Sequence, residues 1–234
     1  MVVESPTRAT RATRPTRPSG RAVAAGGVLA VVLTIVLIAG LDAGTAMTAP
    51  AGLRRTISEY GLGPQAAIFT AAVVLLAAGS IAALVTFVRH GLLKPFSGAS
   101  IALALWTLGM VTIAIFPKQD HSLPSNMGGQ IHRLASLVAF LSLPVAAFLL
   151  AKAMARKEEW TAYVRRTRLL GALSVVMFSP LVYSIIVGAF TDTAWWRVLP
   201  IGYVERGLLL AEVLTVLVIG FWSMAVSKKD LQVA

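Results

Sequence analysis

An all-α membrane bundle is the fold class this sequence predicts: a polytopic protein of six transmembrane helices with both termini cytoplasmic. Three observations carry the prediction. Six apolar stretches, residues 22–41, 66–88, 97–116, 134–151, 169–190 and 207–227, occupy most of the 234 residues, and five of them hold no charged residue. At about 1.5 Å per helical residue each is long enough to cross a hydrocarbon core of about 30 Å. Apolar residues make up 57% of the chain and charged residues 13%, against about 25% charged in a soluble domain. Finally, Lys and Arg fall unevenly on alternate connections. Fifteen lie on the side of the N-terminus and six on the other, which by the positive-inside rule puts both termini in the cytoplasm. Strand-like alternation is absent from the six stretches, so helices are the remaining way to satisfy backbone groups in lipid.

The elements follow in order. Residues 1–20 repeat Thr-Arg-Ala and Thr-Arg-Pro triplets with Pro15 and Pro18 and no apolar anchor, which reads as a disordered basic tail. The first apolar stretch, with Gly44-Thr45-Ala46 after it, also fits a signal peptide, but its core is longer than the usual apolar region of one; an uncleaved helix is the preferred reading. Helix 2 follows the turn-like Gly61-Leu62-Gly63-Pro64. Pro95 stands near the start of helix 3, where a missing N–H costs little. Pro144 and Pro180 fall inside helices 4 and 5 and should kink them, freeing the carbonyls of residues 140 and 176. Gly40, Gly79, Ala83, Gly109, Gly188 and Gly220 would let helices approach closely. Trp195, Trp196 and Tyr203 fit an outer aromatic belt, and Trp160 and Tyr163 an inner one. The domain organisation is then a tail (1–20), one membrane domain (21–229) and a short C-terminal tail (230–234).

Several function classes drop out. The chain has no cysteine, so disulfides, thiolate catalysis and cysteine metal sites are excluded. The net charge of +11 follows the topology rather than a nucleic-acid surface, although the basic tail and the loop around Lys152–Arg168 also suit anionic lipid head groups.

Polar chemistry concentrates on the outer face. The first outer loop holds Arg54, Arg55, Ser58, Glu59 and Tyr60; the second holds Lys118, Asp120, His121, Ser122, Ser125, Asn126, Gln130, His132 and Arg133; the third holds Asp192, Arg197, Glu205 and Arg206. Three readings compete with a plain cluster of ion pairs. His121 and His132, with Asp120 and Glu59, are zinc-ligand types, but their spacing matches no metal motif and no resident metal or cofactor is implied. Ser58 or Ser122 with His132 and Asp120 has the types of a nucleophile, base and orienter, without an elbow motif. Paired charges beside Trp and Tyr suit a lipid head group. Inside the spans, Glu212 is the lone ionisable group, about five residues from the outer end of helix 6 and so roughly 7 Å deep. Such a residue faces the bundle interior, with Tyr183 and Ser184 as candidate partners.

The residues Ile57-Ser58-Glu59-Tyr60 before helix 2, Phe116-Pro117 and Asp120 after helix 3, and His132 opening helix 4 resemble a bacterial family of six-helix membrane proteins called domain of unknown function 998. The layout is more distantly similar to the Frag–Dram–Sfk membrane family, where Asp stands in place of Glu59 and members are implicated in lipid organisation and lipid-anchor remodelling. The resemblance implies that Ser58, Glu59, Asp120 and His132 form one outer-face constellation; it implies no reaction.

The sequence therefore points to a multi-pass protein of the bacterial inner membrane that engages membrane lipids, with Ser58, Glu59, Tyr60, Asp120, His132 and Arg133 as binding residues and Arg54 or Arg133 countering phosphate. A hydrolase or transferase using the same cluster, a transporter coupled through Glu212, and a structural subunit in a homo-oligomer or with another membrane protein are the alternatives.

Overall fold

Long runs of Leu, Ala, Val and Ile with no internal charge leave the backbone free to satisfy itself, and they fold as uninterrupted helices. The computed structural model describes residues 20–120, 123–124 and 126–233, and every regular element among them is helical. The elements are α1 (Gly20–Thr48), α2 (Ala66–Arg89), α3 (Gly98–Ile115), α4 (Met127–Met154), α5 (Thr161–Phe190), a one-turn α6 (Trp195–Val198) and α7 (Ile201–Val233). All but α6 are long and apolar enough to cross a membrane. They alternate in direction, so the bundle has an upper face, where α1, α3 and α5 end, and a lower face. The expected tail lies outside the described residues apart from Gly20, and the residues expected as a C-terminal tail continue α7 as far as Val233.

The helices pack as a ring, α1–α2–α3–α4–α5–α7 and back to α1, with α2 also touching α7. Small residues set the close crossings. A Cβ on Gly79 would come 2.8 Å from the carbonyl oxygen of Gly27 across α1 and α2, and one on Gly109 would come 2.8 Å from the Cβ of Ala139 across α3 and α4. Gly40, expected in the same role, faces open space. Two cores are stacked along the bundle. The upper one gathers Val31, Phe69, Leu76, Trp106, Met110 and Leu143; the lower one gathers Phe87, Leu93, Leu150, Trp160 and Trp222. Trp160 and Tyr163 are not a lipid-facing belt: Trp160 is buried, and Tyr163 stacks on Trp222 at 5.6 Å between centroids, with Phe87 edge-on at 5.7 Å. Together they plug the lower end.

The helices outrun their apolar stretches at the upper face. α1 continues past residue 41 to Thr48, α4 begins at Met127 rather than 134, and α7 begins at Ile201 rather than 207. Asn126 caps α4 by accepting the Gly129 N–H at 2.8 Å. The added turns carry polar residues, and hydropathy alone ends a span too soon when those residues pair with each other. α4 and α5 run through Pro144 and Pro180, and the carbonyl of Val176, expected to be freed by Pro180, accepts the Ser179 hydroxyl at 2.7 Å.

Candidate functional site

The polar end turns of α1, α4 and α7 meet the loop between α1 and α2, and two linked networks hold that loop in place. The first is a clamp. Arg206, on the second turn of α7, donates from Nε and Nη2 to Asp42 of α1 at 2.9–3.1 Å. Its Nη1 donates to the carbonyls of Leu53, Arg55 and Gly202 at 2.8–3.0 Å. Tyr60 donates to Asp42 at 2.8 Å, and the Arg206 guanidinium stands 6.0 Å from the centroid of the Tyr60 ring. One turn back on α7, a Cβ on Gly202 would overlap the carbonyls of Leu53 and Arg55. Glycine is what lets this loop lie against the helix.

The second network carries Glu59. Lys118, from the loop after α3, donates to Glu59 Oε1 at 2.9 Å and to the Thr56 hydroxyl. The Ser58 hydroxyl donates to Thr56 Oγ1 at 3.2 Å. Glu205, one residue before Arg206, accepts the Ile57 N–H at 3.0 Å, so both α7 residues fix the same loop. His132 is the sixth residue of α4 rather than its opening residue, and it is 4% exposed. Its Nδ1 lies 2.8 Å from the Phe116 carbonyl. A carbonyl only accepts, so Nδ1 carries the hydrogen and Nε2 is the nitrogen left for other contacts.

These residues surround a cavity of about 310 Å³. Its rim holds Arg54, Arg55, Lys118 and Arg133 with Glu59 and Glu205; Ser58, His132 and Ser136 lie along one wall; Leu137, Phe140, Phe178, Leu181, Ile185 and Trp195 form an apolar wall from α4, α5 and α6. A narrow branch of about 50 Å³ leads from Ser58, His132 and Glu205 toward Phe69, Leu76 and Met110 in the upper core.

The structure brings Ser58, Glu59, His132 and Arg133 to one cavity. Tyr60 belongs to the clamp behind it. Asp120 is exposed and lines two neighbouring pockets of about 180 and 820 Å³, the larger of which also takes in Glu59 and Tyr60, rather than the cavity itself. His121, Ser122 and Ser125 lie outside the described residues. Among the described residues no three His, Asp or Glu side chains cluster as a metal site. No described serine hydroxyl bonds the His132 ring: Ser58 donates to Thr56, and Ser136 donates at 2.9 Å to the carbonyl of His132 itself.

The intramembrane pair is not assembled. α7 starts six residues earlier than the apolar stretch, so Glu212 is about 16 Å below the helix start, whereas Ser184 is about 9 Å below the end of α5. Tyr183 is 56% exposed on the lipid side. Glu212 is 0% exposed, and neither its carboxyl oxygens nor the Ser184 hydroxyl has a hydrogen-bond partner.

Sequence reasoning missed Asp42 and placed Glu205 and Arg206 in a loop. Asp42 stands one residue beyond the first apolar stretch, and Ala43, Ala46 and Met47 after it are helix formers with no proline before Pro50; continuing the helical pattern past the charge would have found it.

The family model described as protein of unknown function (DUF998) matches residues 24–222. The chain belongs to the DUF998 family. The match runs from the first turns of α1 to Trp222, so in this DUF998 chain it takes in the whole cavity and the clamp. No curated protein and no solved structure matches it. What the DUF998 cavity offers chemically is four cations against two carboxylates at a rim, beside an apolar wall. That combination suits an amphiphile with a negative head.

Proposed function

We propose that this protein is a multi-pass component of the bacterial inner membrane that binds an anionic lipid at its outer face. The observation that supports this reading is the continuity of the cavity's cationic rim with its apolar wall, because a soluble anion would need only the first and a hydrophobic ligand only the second. The charge asymmetry of the sequence supports an outer position for the upper face. Arg54, Arg55 and Arg133 are exposed at the rim and counter the phosphate. Lys118 is committed to Glu59 and shares its charge. His132 contributes Nε2, its other nitrogen being held by Phe116. Ser58 and Glu59 shape the wall, and Asp120 stands outside the contact.

Native mass spectrometry from nanodiscs of phosphatidylcholine doped with phosphatidylglycerol tests the proposal. Wild type should retain phosphatidylglycerol. Arg54→Gln and Arg133→Gln should each weaken retention about fivefold, since a cation near an anionic head group contributes about 1 kcal/mol. Retention indifferent to both changes, or no retained lipid, overturns the reading and leaves the rim as ion pairs that fix helix ends.

A further inference from the structure

We infer that one acyl chain of the bound lipid lies in the seam between α4 and α5, and that the lipid enters the cavity sideways through that seam from the outer leaflet. The inference rests on the head-group reading above and adds the route and the chain's place.

The two helices meet differently in their two halves. In the lower half they touch: a Cβ on Gly171 of α5 would come 3.1 Å from the Cβ of Ala147 and 3.6 Å from the carbonyl of Pro144 on α4. Above Pro144 on α4, and from Met177 upward on α5, they line the cavity from opposite sides, Leu137 and Phe140 on α4 and Phe178, Leu181 and Ile185 on α5. Over that stretch α5 leans on α7 and α6 instead, with Gly207 against Met177 and Gly188 against Trp195. Leu137 and Ile185 line the cavity and are also 44% and 50% exposed. The cavity wall is therefore also lipid-facing surface.

The other direction is closed to a chain. The branch into the upper core is narrow, about 50 Å³ against about 310 Å³ for the cavity. Below it lie Trp106, Leu103 and Leu143, all buried. The cations lining the cavity come from the upper loops and the second turn of α4, so a ligand with its head there points its chain downward, parallel to the neighbouring lipids. The complementarity of a cationic rim and an apolar seam commits the occupant to an anionic phospholipid rather than a second protein.

The chain has no cysteine, so a single Leu181→Cys gives one labelling point in the seam, with Ile185→Cys as an independent second and Leu173→Cys, exposed lower on α5, as the control. Each carries a fluorophore in phosphatidylcholine nanodiscs containing a rising fraction of phosphatidylglycerol with brominated chains. Quenching at positions 181 and 185 should saturate at low fraction, and quenching at 173 should rise in proportion to it. Arg54→Gln with Arg133→Gln should return the seam positions to the proportional response. Proportional quenching at both seam positions, while phosphatidylglycerol is still retained in mass spectrometry, overturns the seam and leaves the head-group site standing. Proportional quenching with no retained lipid overturns both.

Discussion

Glu205 and Glu212 lie two helical turns apart on α7 and so on nearly the same face, yet their surroundings are opposite. Glu205 accepts a backbone N–H from Ile57, sits beside the Lys118–Glu59 pair and lines the cavity. Glu212 is fully buried with both oxygens unpartnered. Depth in the membrane marks a carboxyl as unusual, but partners decide what it does. The upper turn of α7 is built around its charges. The middle of the same helix merely tolerates a carboxyl group.

The strongest way to break this contrast is to remove the charge that organises the upper turn. Arg206→Leu leaves Asp42 without its bidentate partner and three carbonyls without a donor. Losing one member of a mostly shielded pair should destabilise by about 3 kcal/mol, read as a fall in the thermal midpoint in detergent, together with loss of retained phosphatidylglycerol. An unchanged midpoint would mean the clamp holds nothing.

Glu205→Ala should have a smaller effect. The Ile57 N–H loses its acceptor, which costs about 1–3 kcal/mol, while anionic lipid is retained more strongly because a negative charge has left the rim. Glu205→Gln keeps an acceptor for Ile57 and should restore stability without restoring the weaker retention. If the two variants behave alike in both readouts, Glu205 acts through its charge alone.

The smallest effect belongs to Glu212. Replacing an unpartnered buried acid with Leu removes an unsatisfied group, so Glu212→Leu should be neutral or stabilising by about 1 kcal/mol, with lipid retention as in wild type. A strong loss of stability or retention would show that Glu212 has a partner in the membrane, and the contrast with Glu205 would dissolve.

The six spans were legible because a bilayer imposes length and apolarity on any helix that crosses it; 97–116 and 66–88 agree with α3 and α2 to within a residue. The ends were not legible where polar residues pair across helices. Asp42, His132, Glu205 and Arg206 read as loop residues because each looks unpaired in its own segment, and only the fold supplies Arg206 for Asp42 or Phe116 for His132. The site was half legible for the same reason. Ser58, Glu59, His132 and Arg133 converge because the first two outer connections share a face. Tyr60 was diverted to the clamp, and Asp120 stayed at the surface. The cavity's apolar wall was invisible in the sequence: Leu137, Leu181 and Ile185 look like any other lipid-facing residue until α4 and α5 are seen to line one space.

The aromatic plug of Phe87, Tyr163, Trp160 and Trp222 has a consequence for how such a molecule is controlled. With the lower end filled by these rings, a lipid bound as proposed and entering through the seam would be drawn from the membrane's own composition on that side. A change in chain length, unsaturation or head-group ratio there would then register in the protein directly. The bilayer itself would be the signal.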